Sequence, residues 1–127
     1  MSKIEKEISR LNDPDYHSCA VIIEPAGDDY AVRFATRQFY EATGYAEEEV
    51  VGKRFVFIDP HRTNPDDVAR LLDVLESGRP ANLEIVVHAR DGSSLRDEMT
   101  IRPVSGEGGA VDFITVYQIF TREQGAA

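Results

Sequence analysis

The chain has 127 residues, 42% of them hydrophobic, with one cysteine and a formal net charge of −9. This size suits one domain with a real core. The acidic balance without a basic patch argues against a nucleic-acid surface, and no apolar run is long enough to span a membrane. A lone cysteine makes no internal disulfide, so a reducing cytoplasm is the expected home.

Residues 2–11 carry an amphipathic helical pattern. Ser2 is placed to cap it with Glu5 three residues on, while Ile4, Ile8 and Leu11 form one stripe and Asn12-Asp13-Pro14 stops it. So short a helix needs a docking surface, either on its own domain or on a second copy. Ser18–Glu24 and Tyr30–Ala35 read as strands around the turn at Pro25–Asp29. Arg37–Thr43 reads as a helix closed by Gly44, and Glu47–Val51 as a shorter piece closed by Gly52.

The strongest helix signal follows. Asn64 is the cap, Pro65 takes the first helical position, and Asp66 and Asp67 sit at the positive end of the dipole. Val68, Leu71, Leu72 and Leu75 make its apolar face, and Gly78 ends it. Three strands complete the chain: Ala81–Arg90, Ser93–Val104 and Ala110–Thr121, joined at Asp91-Gly92 and at Ser105–Gly109. The implied class is α+β, with a five-stranded antiparallel sheet, short helices on one face and an N-terminal flanking helix.

The segment Phe34–Phe57, with its T-G-Y and V-V-G-K pieces, together with this order of elements, resembles a PAS sensory domain. Within that family it looks most like the light-oxygen-voltage (LOV) branch. The resemblance covers residues 16–121, leaving 1–15 as a flanking helix and 122–127 as a tail. It implies a flavin pocket between sheet and helices. Where LOV photoreceptors carry G-R-N-C-R-F-L-Q, this chain reads Gly52-Lys53-Arg54-Phe55-Val56-Phe57-Ile58-Asp59.

Carried over position by position, the pocket is degenerate. Phe55 stands for the photochemical cysteine, Arg54 for the motif's asparagine, Val56 for its second arginine and Asp59 for its glutamine. Leu72 stands for the arginine of the long helix, Val87 and Asp97 for the two strand asparagines, and Tyr117 for the glutamine that signals flavin state. Phosphate wants an arginine fork and the ring edge wants fixed donors and acceptors, so their joint loss predicts that FMN is not a cofactor; haem is not expected either, because the histidines are isolated. Phe55 and Tyr117, turned inward, would fill the space.

Other chemistry is thinly supported. Asp13, Asp15, His17 and Cys19 alternate, but Pro14 interrupts them and the spacing matches no zinc pattern. His61 and His88 are isolated, and His61 lies upstream of the helix where a haem ligand would sit. Gly106–Gly109 joins two strands rather than leading into a helix, so it is no phosphate loop. Glu48 or Glu49 with Arg90 matches a salt bridge common in LOV-like domains. No enzyme motif is present.

The expectation is a non-catalytic sensory or regulatory module that acts through dimerisation or a signalling partner. A small-molecule or haem sensor with a retained pocket is the alternative. Either a free-standing protein or a piece of a larger one fits.

Overall fold

The computed structural model describes residues 1–27, 29–55 and 63–123. Ser2 caps helix α1 (Lys3–Leu11) in a reciprocal box: its hydroxyl accepts from the Glu5 N–H at 3.2 Å, and the Glu5 carboxylate accepts from the Ser2 N–H at 3.1 Å. Strands β1 (Cys19–Ala26) and β2 (Asp29–Ala35) form a hairpin bulged between Ile22 and Ile23. Helix α2 (Arg37–Thr43) stops at Gly44, whose φ of 80° is the left-handed conformation a glycine adopts without strain. A single 3₁₀ turn follows at Glu47–Glu49.

Helix α3 (Pro65–Glu76) starts as its sequence demands, with Asn64 Oδ1 accepting from the Asp66 N–H at 2.8 Å. Strands β3 (Ala81–His88), β4 (Ser94–Ser105) and β5 (Val111–Arg122) close the sheet. All pairings are antiparallel and the strand order is β2-β1-β5-β4-β3, so β5 runs through the middle. Pairing of β3 with β4 ends at His88–Ser94, with Ala89–Ser93 as the loop. Gly106–Gly109 closes the second hairpin, the Gly106 N–H donating to the Ala110 carbonyl at 2.8 Å.

The alternation of the strands sends side chains to two covered faces. On the inner face, Val21, Ile23, Leu95, Met99, Ile101, Ile114 and Val116 pack with Phe39, Phe55, Leu71 and Leu75. On the outer face, Ile4, Ile8 and Leu11 of α1 pack over Ala20, Ile22 and Phe113. The flanking helix therefore docks on its own domain. Polar contacts fix its position: Thr115 Oγ1 donates to Glu7 Oε2 at 2.7 Å, and Arg10 binds Glu7 at 2.6 Å and also donates to the Tyr117 hydroxyl. Beyond α1 the outer face is open, leaving Ile119 65% exposed. Among the described residues no helix is long and apolar enough to cross a membrane.

Candidate functional site

The inner face of β3, β4 and β5 meets α3 around a small cavity, with Val68 and Leu71 on the helix side and Ile85, Val87 and Met99 on the sheet side. Phe55, which is 4% exposed, leans in from the turn after Gly52. Thr63 lines the cavity just ahead of α3, and into it project two polar strand side chains, Asp97 from β4 and Gln118 from β5. The period of two explains both: Asp97 lies between the inward Leu95 and Met99, and Gln118 between the inward Val116 and half-buried Phe120.

Asp97 is 0% exposed. Its Oδ2 accepts from Gln118 Nε2 at 2.7 Å, while Asp97 Oδ1 and Gln118 Oε1 have no hydrogen-bond partner among the described residues. Burial pushes the Asp97 carboxyl up to about 7, against the Gln118 hydrogen bond, which holds it down. Two unpartnered buried oxygens in one cavity are costly, and native folds keep such groups mainly where something else pairs with them. The cavity itself measures about 20 Å³, room for about one water molecule.

The remaining sequence-derived positions divide clearly. Val87 lines the cavity. Leu72 is half-buried on α3 beside the cavity-lining Leu71. Arg54 points outward, paired with Asp29 across the Ala31–Arg54 bridge. Val56, Asp59 and His61 lie outside the described residues. Tyr117 is on the opposite face of β5, under α1, where its hydroxyl accepts from Arg10. It fills no part of the cavity. Gln118, its neighbour, is the β5 residue that reaches the site, and the sequence reading passed over it.

His88 shares the outward set of β3 with Val86, so it does not join Asp97. Asp13 shapes a turn, its carboxylate accepting from the Asp15 N–H at 2.8 Å, and no group of three metal-ligating side chains forms among the described residues. Cys19 pairs in register with Gln118 on β1, and its thiol is pushed up, first by burial and then by the Asp97 charge. Glu49 holds Arg90 through both carboxylate oxygens at 3.0 and 3.1 Å, tying the 3₁₀ turn to the β3–β4 loop. The pair is largely exposed and contributes little to stability.

The sequence of residues 18–119 matches the PAS-domain family model. The chain belongs to the PAS-domain family. It is 27% identical over 103 residues to a blue-light photoreceptor of Listeria monocytogenes, covering 81% of this chain and 41% of that protein. It is also 27% identical over 92 residues to blue-light-activated histidine kinase 1 of Erythrobacter litoralis, covering 72% of this chain and 26% of the kinase. The chain thus spans less than half the length of these curated relatives. A solved light-oxygen-voltage domain studied with a flavin analogue shares its fold, with a TM-score of 0.76, 24% identity, and coverage of 96% of this chain and 87% of that one.

These comparisons correct the expectation that the PAS domain takes no cofactor. The relatives are blue-light receptors, and the structural neighbour is a domain probed through its flavin. The physical reason for the error lies on β5 and β4. Scoring Tyr117 as the glutamine position counted a ring-edge partner as lost, yet Gln118 is in the site. Scoring Asp97 as a lost asparagine overlooked that a buried carboxyl near neutrality still donates and accepts. The donor set present therefore fits the amide edge of a flavin ring. The space does not fit: the cavity is about 20 Å³, with Phe55 in its wall.

Proposed function

We propose that this PAS domain is the sensory part of a signalling protein and holds a flavin by its ring, between the inner sheet face and α3. The observation that carries this reading is the buried Asp97–Gln118 pair at an apolar cavity, with one oxygen on each partner that has no hydrogen bond among the described residues. Bound flavin supplies absorption of blue light. The chain's own residues do the rest: Asp97 and Gln118 orient the ring edge, and Val87, Leu71 and Met99 exclude water from it. Phe55, at the position where the resemblance places a reactive cysteine, offers no thiol. A ring seats here only when the Phe55 side chain moves aside. The module is read as non-catalytic, with a change in the docking of α1 on β5 as its output.

Leu72 presents no charge to a phosphate, so the ring dominates binding. In a fluorescence titration, riboflavin and FMN bind with affinities within about tenfold of each other, since one lost charge-assisted anchor is worth roughly that factor. No saturable quenching by either flavin would refute the reading.

A further inference from the structure

Asp97 pairs in register with Phe120, so Gln118, two residues earlier on β5, is its diagonal neighbour across the strands. Gln118 Nε2 donates to Asp97 Oδ2 at 2.7 Å. The two buried oxygens left over among the described residues, Asp97 Oδ1 and Gln118 Oε1, belong to this same pair. Both are acceptors while the carboxyl is ionised, so neither satisfies the other. One proton removes the conflict. A carboxylic acid and a primary amide are complementary end to end: the amide N–H donates to one acid oxygen, and the acid O–H donates to the amide carbonyl. The N–H half of that ring is the contact present here.

We propose that, in the ligand-free chain, Asp97 and Gln118 form a proton-operated latch between β4 and β5, closed by an Oδ1–H donated to Gln118 Oε1 and opened when that proton leaves to solvent. The latch is a property of the pair itself and does not rest on the flavin reading. Its surroundings suit it. Asp97 is fully buried, with Ile85 of β3 beside it in register. Val68 and Leu71 cover the pair from α3, next to Phe55 and Thr63. Among the described residues, the titratable group that faces Asp97 from another element is the Cys19 thiol of β1, which burial keeps protonated. No described cation there offsets a charge on the carboxyl. An ionised Asp97 therefore has to draw in water or turn away from its place. Burial pushes the carboxyl up to about 7, which puts opening near neutrality. The asparagine that the resemblance puts at this position would hold such a ring at every pH, whereas a carboxyl holds it only while protonated.

The experiment uses the full chain without flavin, as wild type and as Asp97→Asn, whose amide cannot ionise and keeps a reciprocal pair with Gln118. Crystal structures are compared at about pH 5 and about pH 9, pH values chosen on either side of the carboxyl value above. The Asp97 carboxyl carbon is followed by NMR over the same range. At the acid end the wild type shows Oδ1 about 2.7 Å from Gln118 Oε1, a separation that two oxygens keep with a hydrogen between them. At the alkaline end that contact is lost, and the carboxyl carbon titrates in between. Asp97→Asn keeps the closed pair at both ends. A water between Oδ1 and Oε1 at the acid end, or a carboxyl still ionised there, would overturn the proposal. So would a wild-type pair that stays closed at the alkaline end, since no proton would then operate it.

Discussion

Two side chains decide the site, and each acts through what surrounds it. Phe55 is a buried wall of the cavity and part of the core. Phe55→Ala removes its packing and opens the space, costing about 3 kcal/mol in a urea melt. The same variant binds riboflavin more tightly, because the ring no longer has to displace a phenyl group. A variant that is destabilised yet binds no better would show that Phe55 does not compete with the ligand.

Asp97 acts on stability through its proton. Its folded-state value is raised from 3.8 to about 7, so the unfolded carboxyl ionises first as pH rises. The resulting stability is fully present below about 4 and is lost as pH climbs from there through about 7. Glu7, whose carboxylate is held below its usual value by Arg10 and Thr115 against burial, contributes the opposite slope at acid pH. The difference between wild type and Asp97→Asn isolates the first effect. Asp97→Asn gains stability relative to wild type between about pH 4 and 7 in denaturant melts. A pH-independent difference would mean that the carboxyl is already ionised in the fold.

At the scale of elements, α1 and β5 belong together. Tyr117 and Thr115 on the outer side of β5 hold Arg10 and Glu7 of α1, while Gln118 on the inner side holds Asp97. A change in the pull on Gln118 and the grip on α1 therefore share one strand. Arg10→Ala breaks the link to Tyr117 and leaves the apolar stripe in place. It should speed amide exchange in α1 and leave β4 unchanged, at a cost of about 1 kcal/mol for a half-exposed side chain. Uniform exchange across both elements would show that α1 has no independent docking equilibrium.

The same strand shows where the sequence was legible and where it was not. The Ser2–Glu5 box, the Asn64-Pro65 start and the Gly44 stop each have a local cause, and each stands where the local rule puts it. Val87 and Asp97 sit on the inner face, where β3 and β4 alternate cleanly between core and exposed residues, although the sequence left the facing of Asp97 open. On β5 that contrast vanishes. The outward Phe113 and Thr115 are as buried as the inward Ile114 and Val116, because α1 covers them. With both faces apolar, a slip of one residue leaves no trace in hydrophobicity, and Tyr117 took the place of Gln118.

For the molecule as a whole, the PAS frame is a sheet with a small cavity on its inner side and α1 docked over part of its outer side. Such a layout couples the two by a shift in population rather than by a wire: a ligand that prefers the form with Phe55 displaced changes how well α1 docks only as far as its affinity differs between the forms. The most direct test of the central claim is a crystal structure of the chain grown with riboflavin. The account predicts the imide edge of the ring on Asp97 and Gln118, with Phe55 turned out of the cavity. Phe55 still seated, the Asp97–Gln118 hydrogen bond unchanged and riboflavin absent from the cavity would contradict it.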